Sequence, residues 1–233
     1  GGWVLALVLR AGWRRPRAFS PGSIAEGRGS ESRTWGQGRG NAGADGGRGV
    51  IEAQRAAPIG DYGLLGDTRT AALVSSDGAI DWLCVPRFDG EPVFGRLVGG
   101  LAAGTFRVGP VLPAAVLERR YRQHSATLET TWTVGRGRLI LTEAMVAEVA
   151  GRLLPATLLV RRLSAEGEAV DAVVEFDPRL GEHHRQPRVR RRGRDLVCEW
   201  GSLALSLGCD PDLGIEAGRP TTITVTPQRP VTL

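Results

Sequence analysis

Four carboxylates fall close together in one stretch of this chain: Asp61, Asp67, Asp81 and Asp89. Two carboxyl groups held about 6.5–9.5 Å apart across a cleft can divide the work of splitting an acetal. One protonates the leaving oxygen while the other activates a water on the opposite face of the ring. The residue types suit that chemistry, but their positions favour another role. Asp at turns and strand ends accepts hydrogen bonds from neighbouring backbone N–H groups. We therefore read all four first as turn residues.

Arg87, Phe88 and Asp89 follow Pro86 at the end of an apolar run. An aromatic residue flanked by charges suits a rigid loop that faces a partner domain or edges a sugar site. The competing reading is an Arg–Asp pair that simply closes its own loop. Trp82, Trp132 and Trp200 could stack on sugars. Each follows the apolar alternation of a strand, which predicts core packing instead. His124, His183 and His184 show no zinc-site spacing, and no metal site or cofactor is expected. The Arg188–Arg194 run brackets Gly193 and reads as a hairpin with solvated Arg side chains rather than a phosphate site. Cys84, Cys198 and Cys209 form no CxxC motif and cannot all pair within one chain. They read as small core residues in a reduced, cytoplasmic setting.

These side chains must be positioned by strands. Thr70–Ser75 and Ala79–Cys84 flank Asp77-Gly78, a strong hairpin signal. In 128–134, Leu128, Thr130, Trp132 and Val134 share one face; in 170–176, Val170, Ala172, Val174 and Phe176 do so. Leu196, Cys198 and Trp200 alternate likewise, as do Leu203, Leu205 and Leu207, and Thr221, Ile223 and Val225 make a late strand. Helical periodicity is weak, with one turn expected within Glu91–Leu97. Short strands punctuated by Gly, Pro and Asp predict an all-β fold, an antiparallel sandwich.

The first 57 residues differ. They hold 13 of the 33 Gly, show no period, and read as a disordered low-complexity leader. The chain opens on Gly rather than Met, from which we expect an upstream start to be missing. Residues 1–57 carry nine Arg and four acidic residues, while 58–233 carry 21 of each. The net charge of +5 thus lies in the leader, and the body of the chain lacks the basic footprint of a nucleic-acid module. No apolar run approaches the roughly 20 residues needed to span a bilayer.

One stretch is far more specific than these patterns. Pro58-Ile59-Gly60-Asp61-Tyr62-Gly63-Leu64-Leu65-Gly66-Asp67 leads through Asp77-Gly78-Ala79-Ile80-Asp81-Trp82-Leu83-Cys84 to Val85-Pro86-Arg87-Phe88-Asp89. It closely resembles the opening of the trehalase-like N-terminal domain of bacterial glycoside hydrolase family 15, the glucoamylase and trehalase type. Arg119-Arg120-Tyr121, Leu159-Val160-Arg161-Arg162 and Val174-Glu175-Phe176-Asp177-Pro178-Arg179 resemble it too. Glu143-Ala144-Met145-Val146 departs from that family's usual run.

The resemblance implies a supersandwich-like β domain over 58–233. A downstream catalytic (α/α)6 domain would follow, absent from this chain, whose two Glu residues hydrolyse α-glucosidic bonds with inversion. No catalytic residue is expected in this chain, which is predicted to be inactive alone. Substrate, trehalose or a maltose-like glucoside, would be met through the missing domain. Arg87, Phe88 and Asp89 are the expected interdomain contact, and neither nucleic acid nor membrane is an expected partner. The alternative is a free-standing carbohydrate-binding β-sandwich module, which would need aromatic side chains on an exposed face.

Overall fold

The computed structural model describes residues 7–11 and 57–233. The strands are β1 (Leu7–Ala11), β2 (Gly63–Gly66), β3 (Ala71–Val74), β4 (Ala79–Cys84), β5 (Pro92–Phe94) and β6 (Thr105–Pro110). They continue with β7 (Ala115–Tyr121), β8 (Leu128–Val134), β9 (Gly137–Met145), β10 (Glu148–Val149), β11 (Arg152–Leu153) and β12 (Thr157–Glu166). The last six are β13 (Val170–Asp177), β14 (Arg188–Arg192), β15 (Asp195–Trp200), β16 (Leu203–Leu207), β17 (Thr221–Val225) and β18 (Val231–Thr232). A short α-helix, α1 (Arg96–Gly99), interrupts the series, followed at once by a 3-10 turn, Gly100–Ala103.

Two antiparallel sheets form the sandwich. The nine-stranded sheet runs β14-β15-β16-β1-β12-β9-β8-β7, with β18 also on β12; the seven-stranded sheet runs β17-β13-β6-β4-β3-β2, with β5 on β4. The alternation read from the sequence is the alternation that faces inward. Leu128, Trp132, Leu139, Leu141 and Leu159 of the larger sheet meet Leu65, Ile80, Phe106, Val174 and Phe176 of the smaller in one core. Phe106 and Phe176 pack edge to face, 5.2 Å between centroids.

The disordered reading of 1–57 falls mostly outside the described residues. Leu7–Ala11 are described: they form β1, which pairs with β12 at Leu7↔Leu159 and with β16 at Leu9↔Leu205. The sequence reading placed no strand there.

The Asp77-Gly78 signal does mark a hairpin, between β3 and β4, but not a two-residue one. Ser75 N–H donates to Ala79 O (2.8 Å) and Gly78 N–H to Ser75 O (3.1 Å). Only Gly78 of this turn has positive φ, at 78°. That is a type I turn closed by a glycine bulge. Gly78 is required twice over, because a Cβ there would collide with the Val108 carbonyl oxygen.

One feature of the core runs against expectation. Arg161 on β12 and Glu143 on β9 sit directly opposite in register, and both are fully buried. Arg161 Nε donates to Glu143 Oε1 at 2.8 Å, while its two terminal nitrogens donate to the Phe106 and Gly78 carbonyls, each at 2.6 Å. Its guanidinium also lies 4.6 Å from the Phe106 ring centroid, a cation–π contact. One side chain of the larger sheet thereby ties down two strand ends of the smaller. Burial pushes the Glu143 carboxyl up and the Arg161 guanidinium down, and each charge pulls the other back. A buried donor set of this kind holds only when its partners are all in place.

Candidate functional site

The loop after β4 is short and fastened at several points. Phe88 N–H donates to Arg69 O (3.1 Å), Gly90 N–H to Arg87 O (3.0 Å) and Val85 N–H to Glu91 O (3.3 Å). Gly90 has no room for a side chain, since a Cβ would lie 2.6 Å from Val85 O. Arg87 Nε donates to Asp89 Oδ1 at 3.0 Å, so these two do close the loop between them. Both are well exposed, and such a surface pair contributes little, about 0–1 kcal/mol. Phe88, between them, is 71% exposed.

Behind this loop lies a cavity of about 460 Å3. Trp82 of β4 and Pro92 of β5 line it on the sheet side, Phe88 and Asp89 on the loop side. Val98 and Gly99 of α1 form a further wall, and Glu182 and His184 of the turn before β14 complete it. That turn is fixed to β5 through Gly181 N–H to Pro92 O (2.9 Å) and an Arg185–Glu91 ion pair of 2.8 Å. His184 takes a left-handed backbone, φ 47°, and nests against Gly99, where a Cβ would lie 2.6 Å from its Nε2.

Trp82 corrects the sequence reading. It shares parity with Ile80 and Cys84, which predicted core packing. In the structure Leu73 pairs with Trp82 but Val74 pairs with Ile80, leaving Asp81 without a partner. This bulge shifts the parity, as two residues on one strand oppose one on the other. Ile80 and Leu83 enter the core while Trp82, half-buried, lines the cavity. Trp132 is core, as expected, and Trp200 packs against the core with its indole N–H on Arg185 O (2.8 Å). Glu182 and His184 carried no sequence signal beyond their polarity, and Val98 none at all.

The four candidate carboxylates do not share a cleft. Asp67 is buried and accepts the N–H groups of Arg69 (3.0 Å) and Thr70 (2.9 Å) with one oxygen, the turn role expected of it. Asp61 and Asp89 are exposed. Asp81 is buried; it accepts the Tyr62 phenol hydrogen bond at 2.8 Å and pairs with Arg96 across 3.1 Å. Burial pushes the Asp81 carboxyl up, with Arg96 and Tyr62 opposing. Burial, then the Asp81 hydrogen bond, pushes the Tyr62 phenol up to about 12. At neighbouring Asp77, burial is outweighed by the Ser75 hydroxyl, Arg96 and Arg107, and the carboxyl is held low. The network braces the hairpin and α1 against β4.

Among the described residues, no group of three or more His, Cys, Asp or Glu side chains gathers as a metal ion would require. The Arg run forms β14, exposed along its length, with Gly193 at φ 63° in the turn. Arg190 pairs with Glu199, and Arg191 donates to Ile215 O at 2.7 Å. Among the described residues no helix is long and apolar enough to cross a membrane.

Comparison with known proteins gives a consistent answer. The family described as trehalase-like, N-terminal, matches residues 47–204. A trehalase of Mycolicibacterium smegmatis is 47% identical over 89 residues, which are 38% of this chain and 13% of that protein. A trehalase of Mycobacterium tuberculosis is 44% identical over 89 residues, with the same shares. A trehalase of Thermoplasma volcanium is 27% identical over 132 residues, 56% of this chain and 21% of that protein. The chain therefore spans only a small part of the relatives it matches. No solved structure matches it.

Proposed function

The chain belongs to the trehalase-like N-terminal domain family, and from that premise we propose that it is the non-catalytic N-terminal sandwich of a glycoside hydrolase. The whole enzyme hydrolyses α-glucosidic bonds, with trehalose the first candidate and maltose-like glucosides the second. Its acid and base stand on a downstream (α/α)6 domain, and the sandwich packs on that domain and shapes the rim of its active site. Arg87, Phe88 and Asp89 face the catalytic domain.

The observation that carries this reading is the pairing of family membership with Phe88. A phenylalanine left 71% exposed on a loop held by three backbone hydrogen bonds is a contact surface with no partner among the described residues. Val98, which lines the same cavity, is also exposed, at 79%. Exposed aromatic residues are enriched at interfaces and commonly anchor them. The named activity of the three relatives supports the substrate, and the scattering of Asp61, Asp67, Asp81 and Asp89 over separate environments supports the non-catalytic role. A cytoplasmic setting fits three buried, free cysteines.

The test is direct. The purified chain is incubated with trehalose and with maltose, in parallel with a full-length parent carrying its helical domain. The parent releases glucose and the chain alone does not. Turnover by the chain alone that disappears in Asp81→Asn or Asp89→Asn would overturn the assignment.

A further inference from the structure

The cavity behind the Arg87–Asp89 loop has the composition of a sugar site. Its volume, about 460 Å3, lies within the roughly 300–1,000 Å3 of small-molecule pockets. Trp82 and Phe88 give it two aromatic surfaces, and Asp89, Glu182 and His184 give it polar groups. A hexopyranose has this same division, an apolar C–H face and a rim of hydroxyls. Aromatic rings cover the face without asking for hydrogen bonds, and carboxylate oxygens accept from the hydroxyls.

The polar groups are available. Among the described residues, Glu182 and His184 make no side-chain hydrogen bond and no ion pair, while Asp89 uses only Oδ1, on Arg87. Two other concavities fail this criterion. The groove of about 510 Å3 along β14–β16 has its Arg190 and Glu199 already paired and no aromatic lining. The hollow of about 530 Å3 beside β7 is lined by Arg119 and Tyr121. There the Arg119 terminal nitrogens donate to the Val74 (2.6 Å) and Asp61 carbonyls while its Nε is buried away from the hollow, and Tyr121 both accepts from and donates to Leu64.

We propose that this cavity is a carbohydrate subsite that holds one glucosyl ring against Trp82 and Phe88, its hydroxyls on Asp89, Glu182 and His184. The choice of glucose as the sugar rests on the family reading above; the site itself rests on its lining. The subsite would take the part of an α-glucoside that extends from the catalytic domain onto the sandwich, so substrate length would be sensed here.

The experiment is ligand-observed saturation-transfer NMR on the chain as it stands, without a catalytic domain, so that loss of an interface cannot imitate loss of binding. The probes are trehalose, maltose and, as a hydroxyl-rich control without a ring face, mannitol. Both disaccharides show saturable transfer and mannitol none. Phe88→Ala and Glu182→Gln each weaken binding at least tenfold while leaving the melting temperature unchanged, since both side chains are exposed. Trp82→Phe, which keeps a ring on the wall, retains more affinity than Trp82→Leu. A folded chain that binds neither disaccharide, or that binds them equally well in Phe88→Ala and Glu182→Gln, overturns the subsite. If that happens while the full-length parent still hydrolyses trehalose, the subsite alone falls. If the parent hydrolyses no α-glucoside, it is the proposed function that falls.

Discussion

Arg161 and Phe88 invert the ordinary placement of their residue types in opposite directions. Arg161, a permanent cation, is fully buried at the centre of the sandwich; Phe88, a large apolar ring, is 71% exposed at its edge. Charged residues are almost never fully buried unless paired, and Arg161 meets that condition through Glu143 and two carbonyls. Among the described residues nothing meets the matching condition for Phe88. An inversion that is internally satisfied belongs to the architecture, whereas an unsatisfied one points outward, to a ligand or partner. Site-finding in this fold therefore begins from residues whose misplacement the chain itself does not explain.

The largest effect that could break this contrast is at the seam. Arg161→Met strands the buried Glu143 and frees two carbonyls, and costs about 3–5 kcal/mol in urea unfolding. Adding Glu143→Leu recovers much of that loss, because the lone buried charge is gone. The recovery stays incomplete, since the Gly78 and Phe106 carbonyls remain without their donor. A single variant as stable as the parent would mean that the seam is not structural.

At the rim the expectation reverses. Phe88→Ala changes the stability of this chain by less than about 0.5 kcal/mol, the usual range for a surface site. In a full-length parent the same change lowers kcat/KM for trehalose roughly tenfold, the effect of losing one moderate anchor. Should this chain instead melt much lower, Phe88 is an ordinary packing residue and the contrast collapses.

A smaller effect lies between the two regions, at Tyr62. Its phenol, pushed up from 10.0 to about 12 by burial and by Asp81, ionises late. Because the folded value is raised, its contribution to stability is complete below about pH 10 and is lost as pH rises from 10 to 12. Asp81→Asn brings phenolate absorbance in at lower pH, part-way toward 10.0, since burial remains. An unchanged titration would show that Asp81 does not couple to the phenol.

Much of this was legible in the sequence, and what was not has physical causes. The strands around Trp132 and Val174 were visible because period-2 alternation is a local property. The same alternation pointed to the seam: Glu143 shares parity with Leu139, Leu141 and Met145, and Arg161 with Leu159 and Leu163. Two opposite charges at inward positions of two strands are a readable signal, but a charged residue is habitually assigned outward. Trp82 was misplaced for a different reason. The bulge at Asp81 depends on how β3 and β4 meet, and no local pattern announces it. The cavity was equally hidden, being assembled from residues 82–103 and 181–184, which only tertiary packing brings together. β1 escaped because a five-residue strand has little periodicity, and its partners lie some 150–200 residues away.

The Arg161 seam also sets an order of events during synthesis. Its side chain binds Gly78 O and Phe106 O, while its backbone exchanges hydrogen bonds with Leu233, at 2.9 and 2.8 Å. At roughly 5–20 residues per second, a ribosome takes on the order of ten seconds to pass from Gly78 to Leu233. For the first half of that interval the Gly78 and Phe106 carbonyls await a donor not yet made, and for the second half the strand carrying the donor awaits β18. Pairings this distant in sequence also fold slowly, because loop closure must precede any return in contacts. The nascent sandwich thus spends seconds with its central clasp open, when slower translation or a chaperone on the early hairpins will most affect the yield of folded protein.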